Sequence, residues 1–94
     1  MDIMTLKVAG KSNPSTVAGA IAKNVRDGKA VELVIMGPFS VNQAIKALAI
    51  ARSFMHKEGK DLNCKPDFMH LSVVGAERSA IKFVVGVENL FIVS

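Results

Sequence analysis

The stretch from Gly37 to Met55 reads GPFSVNQAIKALAIARSFM, a turn followed by a helix with one apolar and one polar side. At about 100° per residue, the apolar side chains of this helix fall on a single arc. The arc consists of Val41, Ala44, Ala47, Leu48, Ala51, Phe54 and Met55. The opposite side, here called the polar stripe, carries Asn42, Lys46, Ser53 and Lys57 with Ala49 between them. The arc is suited to pack on a sheet, and the acid-free stripe is suited to a phosphate backbone.

Length and composition limit the class of protein. The chain has 94 residues, and we expect one domain over 1–94, with its core in 3–87 and a tail in 88–94. A formal net charge of +4 and a pI near 9.5 favour an anionic partner. All aromatic residues are Phe, and we expect most of them in the core, so that a nucleic acid would be bound through its backbone rather than by base stacking.

The lone cysteine and the absence of sorting signals bear on location. Cys64 cannot form an intrachain disulfide, which fits a reducing compartment. The N-terminal residues MDIMTLKV lack the pattern of an export signal, and no apolar run reaches the length of a membrane span. We therefore expect a cytoplasmic protein that does not enter a membrane.

Hydrophobic periodicity predicts four strands and two helices. The strands are expected at 3–9, 30–36, 68–74 and 79–87, and the helices at 14–27 and 40–56. Residues 57–67 have the polar, Gly- and Pro-containing composition of a loop, and residues 75–78 that of a hairpin turn. The order β-α-β-α-β-β predicts a two-layer α/β domain, in which both helices cover one face of a four-stranded mixed sheet.

Both strand-to-helix turns are expected at the same edge of the sheet, because the first two strands run parallel. Lys11–Asn13 form the first turn and Pro38–Ser40 the second, with Ser40 as the expected N-cap of the second helix. Asn42 and Lys46 lie in the first two turns of that helix, and the Lys46 side chain leans back toward its N-terminus. These donors suit an anion, but ordinary capping beside a solvated lysine fits the spacing equally well.

Two further surfaces have alternative interpretations. The turn Gly75–Arg78, together with Lys82, fits an arm that reaches along a groove, and it also fits a simple exposed turn. Ile45 and Ile50 flank the polar stripe and do not join the apolar arc, which makes self-association through the second helix another use of this surface. The lysines of loop 57–67 are offset by acidic neighbours, so we expect that loop to be solvated.

No catalytic or metal-binding set is expected. The chain contains no H-E-x-x-H, C-x-x-C, G-x-S-x-G or Walker pattern, and the spacing of His56 and His70 does not suggest a metal site. The acidic residues are scattered without a converging pair. We therefore expect that the protein is not an enzyme and needs no cofactor.

Four segments together resemble the stage V sporulation protein S family. They are LKVAGKSNPSTVAGAIA at 6–22, MGPFSVNQAIKALAIARSF at 36–54, DLNCKPDF at 61–68 and GAERSAIKFVV at 75–85. The resemblance implies the Alba-like fold, shared with archaeal chromatin proteins and the C-terminal domain of translation initiation factor 3. It also implies developmental regulation in spore-forming bacteria, nucleic-acid binding and a dimer.

The same resemblance suggests where a nucleic acid would bind. In Alba-type proteins the first strand-to-helix loop carries basic contact residues, and a hairpin arm reaches the adjacent groove. The corresponding positions here are Lys11–Asn13 and Gly75–Arg78. The first loop has one lysine where a basic pair is common, and the hairpin is expected to be short and to carry Glu77.

Three hypotheses follow. The leading one is a dimeric regulator that contacts the phosphates of DNA or RNA with little sequence specificity. Its expected contacts are Lys11, Ser12, Asn13, Asn42, Lys46 and Arg78. The alternative is a protein-interaction module of a developmental pathway, in which Ile45, Ile50 and the polar stripe dock a regulatory partner. The third is a binder of a small anionic ligand between the two helix N-termini.

Overall fold

The described part of the chain folds into four strands and two helices. The computed structural model describes residues 2–73 and 76–90, and it describes side chains for residues 2–70 and 80–90. The strands are β1 (Ile3–Ala9), β2 (Ala30–Met36), β3 (Lys60–Val73) and β4 (Ala76–Asn89), and the helices are α1 (Pro14–Arg26) and α2 (Ser40–His56). The predicted β-α-β-α-β-β order is confirmed.

The sheet is mixed, with strand order β1-β2-β4-β3. The strands β1 and β2 run parallel, as predicted for a βα unit, whereas β4 runs antiparallel to both β2 and β3. Leu33 at the middle of β2 pairs with Leu6 of β1 and with Phe83 of β4. This arrangement confirms the predicted four-stranded mixed sheet and makes β2 one of its two inner strands.

One face of the sheet forms the core with both helices. Alternate strand residues, among them Val8, Leu33 and Phe83, are buried against the helices. The helices contribute small side chains that are almost fully buried, namely Ala18, Ala22, Ala44, Ala47 and Ala51. Because alanines occupy little volume, the helix backbones lie close to the sheet and to each other.

The other face of the sheet carries a polar row across three strands. Glu32 at the middle of β2 accepts a hydrogen bond of 2.9 Å from the Thr5 hydroxyl on β1. The Lys82 ammonium on β4 lies 3.6 Å from the other carboxylate oxygen of Glu32. Such cross-strand polar pairs are typical of a sheet face that remains in contact with water.

The strand β3 is longer than the sequence predicts. Residues 57–67 were expected to form a loop, but β3 begins at Lys60 and pairs continuously with β4 from Lys60↔Asn89 onward. Its side chains alternate, with Leu62 and Cys64 packed toward the core and Lys65 exposed. Pro66 has no N–H group to donate. It is tolerated because β3 is an edge strand, whose open side has no neighbouring strand that would need this donor.

The chain end also differs from expectation. The tail was expected to begin at residue 88, but β4 continues to Asn89. The Leu90 N–H donates to the Gly59 carbonyl at 2.8 Å, so the chain is fastened to the turn between α2 and β3. Residues 91–94 of the expected tail lie outside the described residues.

The helix α2 crosses the sheet diagonally. Near its start, the Gln43 side chain reaches the turn that follows β1, where its amide donates to the Ser12 carbonyl. Near its end, Arg52 and His56 contact Asp61 at the start of β3. The helix therefore covers β3 close to its beginning and leaves the later part of that strand uncovered.

Candidate functional site

Both strand-to-helix turns lie together at one end of the sheet, here called the turn end. The Gln43 amide of α2 donates to the Ser12 carbonyl of the first turn at 2.9 Å. A Cβ atom on Gly10 would lie 3.1 Å from the Cβ of Phe39 in the second turn, so glycine permits this close approach. The structure thus places the two predicted turns in direct contact.

The side chains of the first turn hold the start of α1 in place. Asn13 is the N-cap, and its Oδ1 accepts from the backbone N–H groups of Ser15 at 2.9 Å and Thr16 at 3.3 Å. The Ser12 hydroxyl accepts from the Ala9 N–H at 2.9 Å. The side-chain oxygens of Ser12 and Asn13 therefore accept hydrogen bonds from the backbone. An anion could be bound only by the hydroxyl hydrogen of Ser12 or the side-chain NH2 group of Asn13. Lys11 beside them is exposed.

The second turn differs from the sequence prediction. Ser40 was expected to be the N-cap of α2, but it is the first helical residue and is fully buried. Its hydroxyl donates to the Gly37 carbonyl, which is possible because Gly37 takes a positive φ of 89°. The N-cap is Phe39, whose side chain cannot accept a hydrogen bond, and the helix has no side-chain cap. The Ser40 N–H donates to the Gly37 carbonyl at 3.3 Å, so only the N–H groups that follow it in the first turn lack a cap and keep their capacity to bind an acceptor.

The expected contacts on α2 are both exposed. Asn42 donates to the Gln43 side-chain oxygen at 3.1 Å, and Gln43 in turn holds the first turn. Asn42 is therefore part of a short chain of hydrogen bonds that connects the polar stripe with Ser12. Lys46 lies one helical turn further on the same stripe and is exposed.

Acidic side chains are concentrated at the opposite end of the sheet, here called the far end. Five of the eight acidic residues lie there, where the strands β1, β2 and β3 begin and the helices end: Asp2, Asp27, Glu58, Asp61 and Glu88. Neither turn contains an acid, and neither does α2. The two turns and the start of α2 therefore carry Lys11 and Lys46 without an acid between them, whereas Asp67 beside Phe68 and Glu77 in β4 add negative charge elsewhere at this end.

Ion pairs at the far end neutralise much of its charge. Asp61 accepts two hydrogen bonds from the Arg52 guanidinium, at 2.8 and 3.1 Å, and lies 2.9 Å from His56 Nε2. The hydrogen bonds from Arg52 and then from His56 lower the pKa of the Asp61 carboxyl below its usual range. Arg26 and Glu58 form a second pair at 2.8 Å. Arg52 and Arg26 are therefore paired with acidic residues at the far end, whereas Lys11 and Lys46 take no part in these pairs.

A hairpin arm projects from the turn end. The pairing between β2 and β4 ends at Ile35↔Ile81, but β3 and β4 continue to pair as far as Val73↔Ala76. The arm consists of residues 69–73 and 76–80, and it is longer than the short hairpin expected from the sequence. Arg78 lies in β4 opposite Leu71, not in a turn, and its side chain is outside the described part. Gly75 of the expected turn is also outside it.

Ile45 and Ile50 lie on opposite sides of the polar stripe. Ile45 is 49% exposed and lines a groove of about 460 Å³ between α2 and β3, together with Leu48, Leu62 and Cys64. Ile50 is half-buried and packs against the core, so the expectation that it stays apart from the core is wrong. Ile50 lies on a side of α2 that faces the core. Only Ile45 is placed to meet a partner in this groove.

Two exposed phenylalanines were not expected from the sequence. Phe39 is 76% exposed and Phe68 is 80% exposed, whereas Phe83 is buried in the core. Phe54 of α2 is exposed as well, at 36%, so the expectation that most Phe residues serve the core is wrong for three of the four that the structure describes. Phe68 alternates with core residues of β3, but α2 crosses away from it, so no helix covers its ring.

The described residues show neither a metal cluster nor a spanning helix. Within residues 2–73 and 76–90, no three His, Cys, Asp or Glu side chains are grouped so that they could hold a metal ion. Neither α1 nor α2 is long and apolar enough to cross a membrane.

The comparison with known protein families gives the same family that the four sequence segments resemble. The model of the family Stage V sporulation protein S (SpoVS) matches residues 4–88, nearly the whole of the 94-residue chain. The match begins in β1 and ends in β4, so it includes both turns and the arm. The chain belongs to the stage V sporulation protein S family and is therefore a small regulatory protein related to sporulation.

Proposed function

We propose that this protein is a non-enzymatic, cytoplasmic regulator that binds nucleic acid through its phosphate backbone. The contacts would come from the turn end: Lys11, Ser12, Asn13, Asn42, Lys46 and Arg78. The single observation that carries the proposal is the contact between the two turns, which brings Lys11 and the uncapped start of α2 to one acid-free surface. The arm leaves the sheet at the same end, where it is placed to reach along a bound strand.

The chemistry of this surface suits phosphates. The first turn of α2, which has no side-chain cap, and the positive end of the helix dipole attract an anion, and Lys46 adds a full charge one turn away. Donors of Ser12, Asn13 and Asn42 supply short-range hydrogen bonds to phosphate oxygens. None of these groups reads a base edge, so binding would depend on salt and only slightly on sequence.

Lys11→Ala/Lys46→Ala is expected to weaken binding and to flatten its salt dependence. Each lost phosphate contact reduces the slope of log Kobs against log salt by about 0.9 for duplex DNA and about 0.7 for single strands. The double variant should therefore lose about 1.4–1.8 of the slope, which corresponds to about 25- to 60-fold weaker binding near 0.1 M salt. Fluorescence anisotropy over a salt series measures both quantities.

The matched control is Lys23→Ala/Lys29→Ala, which removes the same charge in the last turn of α1 and just before β2, at the far end. It is expected to keep the slope of the wild type. Equal slopes for the wild type and the Lys11/Lys46 variant would rule out this surface as the phosphate site.

The groove between α2 and β3 favours a second function, association with another protein chain. Ile45 is half exposed on its rim, and Leu48, Leu62 and Cys64 form its apolar wall. A second copy of this chain is the partner that we propose, which gives a homodimer. Apolar side chains at the rim of such a groove gain stability when a partner covers them.

Ile45→Asp is expected to convert the dimer to a monomer in sedimentation equilibrium, because it replaces an apolar contact with a carboxylate that must lose its hydration, in a groove that already contains Asp61 and Glu88. The matched variant is Ile3→Asp, at a side chain that is 65% exposed at the far end. It should sediment like the wild type. If both variants and the wild type have the same mass, the groove is not the interface.

A further inference from the structure

Two aromatic rings stand in solvent at the turn end. Phe39 forms the N-cap of α2 and is 76% exposed, and Phe68 at the root of the arm is 80% exposed. Phenylalanine is among the residues most often buried in folded proteins. Two almost fully exposed rings at the end that carries Lys11 and Lys46 therefore indicate a ligand with flat apolar faces next to negative charges.

The order of the strands separates the two rings. Phe68 pairs with Ile81 of β4, which pairs with Ile35 of β2, so Phe68 lies two strands away from the end of β2. At ordinary strand spacing this distance is roughly 10 Å. Phe39 packs against Gly10 beyond the end of β1, on the other side of β2. The rings are thus separated across the turn end and do not form one apolar patch.

Each ring has a distinct environment. Phe68 borders a shallow notch of about 180 Å³ that is lined also by Pro66, Asp67 and Ile81. Phe39 precedes the uncapped start of α2, with Asn42 and Lys46 on the following turns. Phosphate-binding donors therefore lie next to Phe39, whereas the neighbours of Phe68 are apolar apart from the Asp67 carboxylate. A strand whose phosphates lie at Lys11 and Lys46 would meet Phe39 first and Phe68 further along, as in proteins that combine a positive groove with aromatic platforms.

We propose that the nucleic acid bound at the turn end is single-stranded and that its unpaired bases stack on Phe39 and Phe68. The inference rests on the proposed function and names its substrate class. A duplex presents its phosphates but keeps its base faces stacked inside, so it would leave both rings in water. A single strand offers a face for each ring and phosphates for Lys11 and Lys46, and stacking tolerates any base sequence.

The surroundings of the rings argue against a protein partner at this place. The core of a protein–protein interface is usually contiguous and depleted of lysine. Here Met36 and Val41 are exposed near Phe39 in the chain, but the two rings are separated from each other, and exposed Lys11, Asn42 and Lys46 lie on the elements around Phe39. Charge complementarity and the spacing of the rings therefore both favour a polyanion with aromatic bases.

The test compares Phe39→Ala, Phe68→Ala and Phe39→Tyr with the wild type on oligo(dT), oligo(U) and a duplex of equal phosphate number. Each alanine variant is expected to bind both single strands about 5- to 100-fold more weakly, and duplex binding should be unchanged. Phe39→Tyr should restore single-strand affinity because it keeps the ring. Ile3→Ala is the control for loss of an exposed apolar side chain, and it should bind like the wild type. Comparison of oligo(dT) with oligo(U) shows whether the 2′-hydroxyl adds affinity.

Four outcomes would overturn the inference. If the alanine variants bind single strands as the wild type does, or if they weaken duplex and single strands equally, the rings are not stacking platforms. The proposed function then still stands if Lys11→Ala/Lys46→Ala reduces the salt slope. If the alanine variants change the mass in sedimentation, the rings serve self-association. If the wild type binds none of the three nucleic acids, the inference and the proposed function fail together.

Discussion

Leu33→Ala is expected to lower the free energy of unfolding by about 2–5 kcal/mol. Leu33 is fully buried at the middle of β2, between Leu6 and Phe83, on the sheet face that both helices cover. Its removal leaves a cavity that the two neighbouring strands cannot close without breaking their pairing. A domain of this size has a total stability of about 5–14 kcal/mol, so one substitution removes a large part of it. Urea denaturation monitored by circular dichroism measures the change.

The matched control for this prediction is Ile3→Ala in the neighbouring strand β1. Ile3 has the same number of carbon atoms as Leu33 but is 65% exposed, so its truncation should change stability by no more than about 0.5 kcal/mol. The thermal midpoint of Leu33→Ala should fall by at least about 8 °C. A loss below about 1 kcal/mol would contradict the position of β2 as an inner strand of the core.

Local chemistry explains which elements the sequence predicts well. Asn13 followed by Pro14 specifies the start of α1, because the Asn side chain caps the first N–H groups and Pro needs no donor at the first helical position. The apolar arc of α2 corresponds to the structure for its inner members, such as Ala44, Ala47 and Ala51, which are fully buried, whereas Val41 and Phe54 of the predicted arc are exposed. Such signals lie within a few residues of the element that they specify, so a single sequence is enough to identify them.

The start of β3 depends on tertiary context and is therefore hidden in the sequence. Residues 60–67 contain Pro66 and several charged residues, a composition that is typical of loops. The structure accommodates them because β3 is an edge strand that pairs only with β4. The alternation of Leu62 and Cys64 with exposed neighbours was present in the sequence, but the intervening charges obscured it.

The same dependence on context applies to the site. The meeting of the two turns follows from parallel β1 and β2, which the βα order already implies. By contrast, the exposure of Phe68 depends on the diagonal path of α2, which is set by its contacts with Ser12 at one end and Asp61 at the other. No local pattern encodes that path. The exposed rings were consequently missed by sequence reasoning, although the lysines beside them were found.

Lys11→Glu/Lys46→Glu is expected to abolish measurable nucleic-acid binding near physiological salt. Loss of two phosphate contacts alone weakens binding about 25- to 60-fold near 0.1 M salt, and two carboxylates beside the phosphates add repulsion. The double reversal takes the formal net charge from +4 to zero, so a nonspecific effect of net charge has to be separated from the loss of a site. Anisotropy titrations with single-stranded and duplex probes measure the effect.

The variant Lys23→Glu/Lys29→Glu separates the two explanations, because it has the same net charge but changes the far end. We expect it to keep most of the affinity, whereas an effect of net charge alone would weaken both variants equally. Circular dichroism of both variants separates a loss of binding from a loss of folding. The Lys23→Glu carboxylate lies in the last turn of α1, where it is unfavourable by about 0.3–1 kcal/mol, whereas Lys46 lies beyond the first turn of α2. If both variants have the spectrum of the wild type, a loss of binding confined to the Lys11/Lys46 variant comes from the turn end.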